Sequence, residues 1–245
     1  MITDAKRAAG RAAAEFAEDG MVLGLGSGTT ILFTLERLGE RIRKEGLSLR
    51  GIPTSKATEE AARKAGIPLV GLEEVERVDL CIDGADEVDP ALNLIKGGGG
   101  ALLREKIVMA SSAHSVIVVD GRKLVGRLGE KFLLPLEVLP FGWNFTARAV
   151  KALGGEAMLR KNEEGGFFRT DNGNFILDCR FPGIPDPASL EGSLNRIPGV
   201  LENGLFVGLA GLVLVGMEDG SVEERRRPGV SLPPEGSGRP PSRPG

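Results

Sequence analysis

The sequence predicts an α/β fold: a mostly parallel sheet flanked by helices, with a smaller α+β domain inserted late in the chain. Three observations carry that expectation. Short apolar runs alternate with helix-compatible segments through about residue 120, as a parallel sheet with crossover helices requires. The alternation breaks near Lys131, where Leu134-Pro135-Leu136-Glu137-Val138-Leu139-Pro140 reads as a proline-bounded strand. Apolar segments return at Leu205–Leu209 and Leu212–Val215, and both are expected to rejoin the first sheet.

The elements follow in order. Residues 4–18 read as a helix with Ala8, Ala9, Ala12, Ala13 and Phe16 on its apolar side, stopped by Asp19-Gly20. Met21–Leu25 is a strand, and Gly26-Ser27-Gly28-Thr29-Thr30 turns it into a helix carrying Ile31, Leu35, Leu38 and Ile42 at helical spacing. Leu47–Ile52 and Ile67–Val70 are strands on either side of a helix that Thr54 or Ser55 caps and Gly66 ends. Val78–Ile82 and Ser115–Val119 complete the parallel set, separated by a helix over Ala101–Val108. Past Lys131, Phe145–Leu153 and Pro187–Arg196 read as helices, and Glu156–Lys161 and Gly166–Asp178 as strands. Asp171-Asn172-Gly173 is a hairpin signal splitting the last of these. The predicted domains are a Rossmann-like unit over 1–129 and 204–223, a small α+β unit over 130–203, and a disordered tail over 224–245. That tail holds six of the 15 prolines and five arginines, with Val230 and Leu232 as its apolar side chains.

Composition narrows the function. At 245 residues, 41% hydrophobic and 27% charged, the chain is an ordinary globular protein. A net charge of −3 and 4% aromatic residues, with no tyrosine, argue against a nucleic-acid partner. One histidine and two distant cysteines, Cys81 and Cys179, make a zinc site unexpected and suit reduced core thiols. No apolar stretch approaches 18 residues and the N-terminus lacks a signal-peptide core, so the expectation is a cytoplasmic protein without a membrane partner.

The chemistry concentrates between residues 83 and 106. Asp83-Gly84-Ala85-Asp86 lies where a strand ends, the edge at which open α/β sheets hold ligands. Lys96 precedes Gly97-Gly98-Gly99-Gly100, a run costly in backbone entropy unless something approaches that backbone closely. Glu105 then sits near the start of a helix. The turn Gly26–Thr30 is a second candidate, an anion site of amides and hydroxyls at a helix N-terminus. It lacks the Gly-Lys-Ser/Thr of a nucleotide P-loop, and a tight strand-to-helix turn without ligand explains its glycines equally well. Lys123, after Asp120, leaves the fifth strand on the same side, where a solvated loop lysine is an equal reading.

These motifs together resemble the ribose-5-phosphate isomerase family of the A type. The resemblance covers roughly residues 4–222 and rests on Gly24-Leu25-Gly26-Ser27-Gly28-Thr29-Thr30, Asp83-Gly84-Ala85-Asp86-Glu87, Lys96–Gly100 with Arg104-Glu105-Lys106, and Asp120 with Lys123. Leu134–Val138 and Thr170–Asn174 add support. The family usually has Thr where Ser27 stands and Ser where Thr29 stands, and both exchanges keep a hydroxyl. The resemblance implies interconversion of ribose 5-phosphate and ribulose 5-phosphate, in the non-oxidative pentose phosphate pathway, with neither cofactor nor metal. It implies Glu105 as the base that moves a proton between C1 and C2 of an enediolate. Lys96 with the Gly97, Gly98, Gly99 and Gly100 amides would stabilise the oxyanion. Asp83 is expected to open the sugar ring and Asp86 to orient hydroxyls, with Gly84 and Ala85 lining the same turn. Ser27, Thr29, Thr30 and Lys123 would take the phosphate or neighbouring hydroxyls, with Gly28 also binding substrate, and a homodimer or homotetramer is expected. A non-catalytic sugar-phosphate sensor would keep the hydroxyl turn, but would not need Glu105 beside a glycine run. A dinucleotide enzyme would need an acidic residue ending the second strand, where Ile52-Pro53-Thr54 stand.

Overall fold

The computed structural model describes residues 2–229. α1 (Ile2–Ala14) ends before residue 18, because the chain tightens there into i→i+3 bonds from Glu15, Phe16 and Ala17. β1 (Val22–Leu25), α2 (Thr29–Glu45), β2 (Arg50–Pro53), α3 (Lys56–Ala65) and β3 (Val78–Gly84) follow. The strand expected over 67–70 is reduced to one parallel bridge between Gly51 and Leu69, since Pro68 has no N–H with which to extend a ladder. Next come β4 (Glu87–Val88), β5 (Leu94–Ile95), α4 (Leu102–Ala110), β6 (Ser112–Asp120), β7 (Leu134–Val138), α5 (Trp143–Ala152), β8 (Glu156–Leu159) and β9 (Phe175–Arg180). α6 (Pro187–Leu194), β10 (Val200–Asn203), β11 (Leu205–Phe206), β12 (Leu212–Gly216) and β13 (Val222–Arg226) complete the chain.

The largest sheet has the order β13-β12-β6-β3-β1-β2, parallel except for the antiparallel β12–β13 pair. It is buried on both faces, so its inner strands are apolar throughout. Leu80, Ile82, Val116, Val118, Leu212 and Leu214 face the core shared with α1, α2 and α3. Their alternates Cys81, Ile117, Val119, Val213 and Val215 face the core that contains Leu102, Val108 and Met109 of α4. Both cysteines are free and buried.

Residues 134–203 build a second, antiparallel sheet in the order β10-β7-β9-β8, packed with α5 and α6 around its own apolar cluster. Residues 166–170 do not form the expected strand. They contribute a single bridge, Lys161 to Phe167, while Thr170 Oγ1 captures the N–H groups of Asn172 and Asn174. The segment Leu205–Phe206 also departs from expectation. It pairs with β5 in a three-stranded ribbon, β11-β5-β4, and only the Leu212 strand rejoins the large sheet. Among the described residues no helix is long and apolar enough to cross a membrane.

The start assigned to the tail, residue 224, is corrected by β13, in which Glu224, Arg225 and Arg226 pair with Leu214, Val213 and Leu212. Arg227 extends the attachment, its N–H donating to Gly211 O, its Nε to Ala210 O and its Nη2 to Leu92 O at 2.9, 2.9 and 3.0 Å. Charged side chains mask the strand in the sequence, but an edge strand needs only a paired backbone and one wet face. Residues 230–245 lie outside the described chain. A chain ended at Glu223 loses these bonds and bares the β12 edge. Compared with a chain ended at Gly229, it is expected to melt about 3–10 °C lower in calorimetry; equal melting temperatures would contradict the role given to β13.

Candidate active site

The order β6-β3-β1-β2 puts a topological switch point between β1 and β3, where successive strands depart in opposite directions. The turn after β1 and the turn after β3 therefore meet at the carboxyl edge. The approach is close: a Cβ on Gly26 would collide with Asp83 Oδ1 at the end of β3, so only glycine lets the first turn close on that strand. Asp83 Oδ1 accepts from Ser27 N–H at 3.0 Å and Gly84 N–H at 2.7 Å.

Lys96 enters from the ribbon, its backbone N–H held by Gly204 O at 2.9 Å. Its ammonium is 2% exposed as a residue and donates to Gly84 O at 2.6 Å. It also stands 3.0 Å from Asp83 Oδ2 and 3.4 Å from Glu105 Oε2. Neither of those carboxylate oxygens makes a hydrogen bond of good geometry among the described residues, so both rely on charge attraction to Lys96. Glu105 is carried by the first turn of α4 and is 4% exposed. Its burial, and then the neighbouring Asp83 charge, push its pKa up to about 8 against the opposing pull of Lys96. Burial raises Asp83 as well, with Lys96 opposing it. Lys96 shifts upward: burial disfavours its charge, but the Asp83 and Glu105 carboxylates outweigh that penalty.

Lys96 and Glu105 border a cavity of about 140 Å³. Gly28, Thr29 and Thr30 close one end at the N-terminus of α2, whose N-cap, Gly28, offers no side chain to the first amides. Unfilled helix N-termini present N–H groups and positive potential to an anion. Lys123 adds a cation and lies 3.7 Å from Asp86 Oδ1. Ala85, Gly84, Asp86, Gly97, Gly98, Gly99 and Glu105 line the rest.

The structure thus brings the predicted residues to one cleft, with three rearrangements of emphasis. Asp83 is wholly buried behind Lys96 and does not line the cavity, whereas Asp86 does. Ser27 lines the cavity, but its Oγ is held in a hydroxyl cluster with Thr54, Ser55 and Thr58 at 2.9–3.1 Å, and its N–H serves Asp83. Of the glycine amides, Gly98 N–H is taken by Asp86 Oδ2 at 2.8 Å and Gly100 N–H by Gly97 O at 2.9 Å. Lys6 of α1 was not legible as a site residue. It lines the cavity and donates to Thr29 Oγ1 at 2.8 Å, yet in sequence it is one cation on an amphipathic helix. Glu87, beside the aspartates in sequence, points elsewhere and accepts from the N–H groups of Gly129, Lys131 and Phe132. Lys106 likewise pairs with Glu191 and Glu202, away from the cavity.

The family model described as ribose 5-phosphate isomerase A (phosphoriboisomerase A) matches residues 50–220. Ribose-5-phosphate isomerase A of Gloeobacter violaceus is 55% identical over 88% of this chain and 93% of its own. The protein of that name from Thermosynechococcus vestitus is 52% identical over 91% of this chain and 96% of its own. Two solved structures show the same fold. A D-ribose-5-phosphate isomerase in complex with phospho-erythronic acid superposes with a TM-score of 0.90 at 41% identity, over 93% of this chain and 100% of the other. Ribose 5-phosphate isomerase A from Methanocaldococcus jannaschii gives 0.87 at 44% identity, over 91% and 98%. With that likeness spanning both sheets and the cleft between β1 and β3, the chain belongs to the ribose 5-phosphate isomerase A family.

Proposed function

We propose that the cleft interconverts D-ribose 5-phosphate and D-ribulose 5-phosphate through an enediolate, with Glu105 as the proton shuttle. The observation that carries this reading is the buried Glu105 carboxyl 3.4 Å from the buried Lys96 ammonium, in a cavity that an open helix N-terminus also lines. Aldose to ketose conversion moves the C2 hydrogen to C1 and, in net terms, the O2 proton to O1. A single carboxylate can take the first proton and return it one carbon away, provided its pKa lies near the working pH. The negative charge that develops on the substrate oxygens needs donors already in place. Lys96 supplies one, since its 3.4 Å approach to Glu105 is its loosest contact and the one a substrate oxygen would replace. The dianionic phosphate is assigned to the α2 amides, Thr29, Thr30, Lys6 and Lys123. Ring opening is assigned to Asp86, the aspartate that reaches the cavity, and Asp83 acts by holding Lys96 in its charged form.

Glu105→Gln keeps shape while removing the base, so turnover in an EDTA-containing assay should fall by about 10²–10⁴. Its KM should change little, because the phosphate is held elsewhere. Lys123→Ala should show the reverse, a raised KM with a smaller effect on kcat. Retained turnover in Glu105→Gln would remove it from the shuttle role.

The reaction also acquires a pH signature. The base works ionised, so kcat/KM should climb with pH and level off near 8, the value at which Glu105 ionises in the free enzyme. A flat profile between pH 6 and 8 would be incompatible with Glu105 as base.

Stability carries the opposite sign. The folded state holds the Glu105 proton from its ordinary value of 4.5 up to about 8, while the unfolded chain releases it at the lower value. The folded state therefore binds more protons in that window, and the glutamate costs stability progressively as pH rises through it. The melting temperature of Glu105→Gln, measured against the parent, should gain with pH across this window and stay constant below it. A difference that shrinks with pH would mean the carboxylate is favoured, not penalised, by its surroundings.

A further inference from the structure

We propose that Arg160, at the end of β8 and outside the cavity, is a positioning residue for the proton transfer: it aims the Gly98 and Gly99 amides by holding their peptide carbonyls. The inference deepens the isomerase reading and rests on it. Arg160 Nη1 donates to Gly97 O at 3.1 Å and to Gly98 O at 2.9 Å, two consecutive carbonyls of the glycine run. A trans peptide points its N–H opposite its C=O. The Gly97–Gly98 unit shows the result, with its C=O on Arg160 and its N–H on Asp86 Oδ2 at 2.8 Å. The Gly98–Gly99 unit has its C=O on the same guanidinium nitrogen. Its N–H therefore points to the Asp86 side, where Gly97, Gly98 and Gly99 line the cavity. A cation on the carbonyl also polarises the unit and strengthens its N–H as a donor.

The guanidinium is itself fixed. Asp178 of β9 accepts from Nε at 2.9 Å and from Nη2 at 2.5 Å, a bidentate pair. The Phe168 ring lies 5.5 Å from the guanidinium carbon and fills the space that a Cβ on Gly100 would need. The Arg160 backbone is tied on both sides, its N–H to Ile176 O at 2.8 Å and its C=O to Phe168 N–H at 3.0 Å. Gly97, at φ 103°, has its carbonyl held also by Gly100 N–H at 2.9 Å, so the Gly98 carbonyl is the one whose orientation rests most on Arg160. The second sheet thus reaches across to set the orientation of a loop it does not contain.

The test compares Arg160→Lys, Arg160→Met and Asp178→Asn with the parent chain, each assayed well below its own melting temperature. Lysine keeps the charge but cannot serve a bidentate carboxylate and two carbonyls together. Mis-aimed oxyanion donors should lower kcat about 10- to 100-fold. KM for ribose 5-phosphate should stay within about twofold, because the phosphate end is untouched. Affinity for 4-phospho-D-erythronate, whose carboxylate would occupy the enediolate position, should fall by the same factor as kcat, while competition by inorganic phosphate should not change. A purely structural role would lower melting temperature and leave kcat and the erythronate affinity of the folded enzyme intact, which would overturn the proposal. A rise in KM alone would overturn it as well. Arg160→Lys and Asp178→Asn decide the matter if Arg160→Met does not fold. Parent turnover of ribose 5-phosphate is measured first: its absence overturns the isomerase reading and this proposal together, whereas its presence with unchanged variants overturns this proposal alone.

Discussion

The structure around the cleft depends on one buried ammonium. Lys96 is 2% exposed and lies between Asp83 and Glu105, each of which would be expensive to bury unpaired. Three parts of the chain converge to hold it there. The end of β3 supplies Asp83 and the Gly84 carbonyl, α4 supplies Glu105, and the ribbon strand β11 follows the Gly204 carbonyl that anchors the Lys96 backbone. This explains why Leu205 and Phe206 pair with β5 and not with the large sheet. Their work is to carry Lys96 under the cavity, where Phe206 also lies 5.5 Å from the ammonium.

What the sequence disclosed follows from where its information is local. Strand-turn-helix units announce themselves through apolar runs, glycines and caps within about ten residues. The Gly26–Thr30 turn, the Asp83–Asp86 turn and the glycine run before Glu105 were legible for that reason, as was the parallel sheet they decorate. Contacts between distant segments leave no such trace. Lys6, Arg160 and Arg227 each act on a loop far away in sequence, and each reads in isolation as an ordinary surface cation. The β13 edge was hidden for a related reason. Its residues are charged because one side meets water, although all five are in register with β12. The direction of Ser27 Oγ could not be anticipated either, since it is set by Thr54, Ser55 and Thr58 from the next strand-to-helix turn.

The second sheet is more than an appendage to the first. Glu137 of β7 is fully buried, and its Oε1 accepts from Thr170 Oγ1, Asn172 Nδ2 and Asn174 Nδ2 at 2.8–3.0 Å. One carboxylate thereby shapes the whole 170–174 turn. That turn then grips the elements around the large sheet twice, with Asp171 accepting from Lys56 N–H and Asn172 from Arg104 Nε, both at 2.8 Å. These bonds land on the N-terminus of α3 and on the residue preceding Glu105. The Thr170–Asn174 sequence was recognisable as a turn, but its purpose lies in this bracing of the two sides of the cleft.

Three buried charges in one place are poor material for stability, because desolvation of each offsets much of their mutual attraction. Their arrangement does make sense as a way to set a single proton affinity. Beside Lys96 alone, Glu105 would be held ionised, with its proton affinity lowered. Beside Asp83 alone, two buried carboxyls would contend for one charge, and one would stay protonated far above neutrality. With both present, burial and the Asp83 charge raise Glu105, Lys96 opposes them, and the group is pushed up to about 8. The open α2 N-terminus, Lys6 and Lys123 add positive potential to the same cavity. That both groups of charge share one cavity follows from the switch point of the sheet: β1 and β3 lie side by side there, and the turn after β1 closes directly on Asp83.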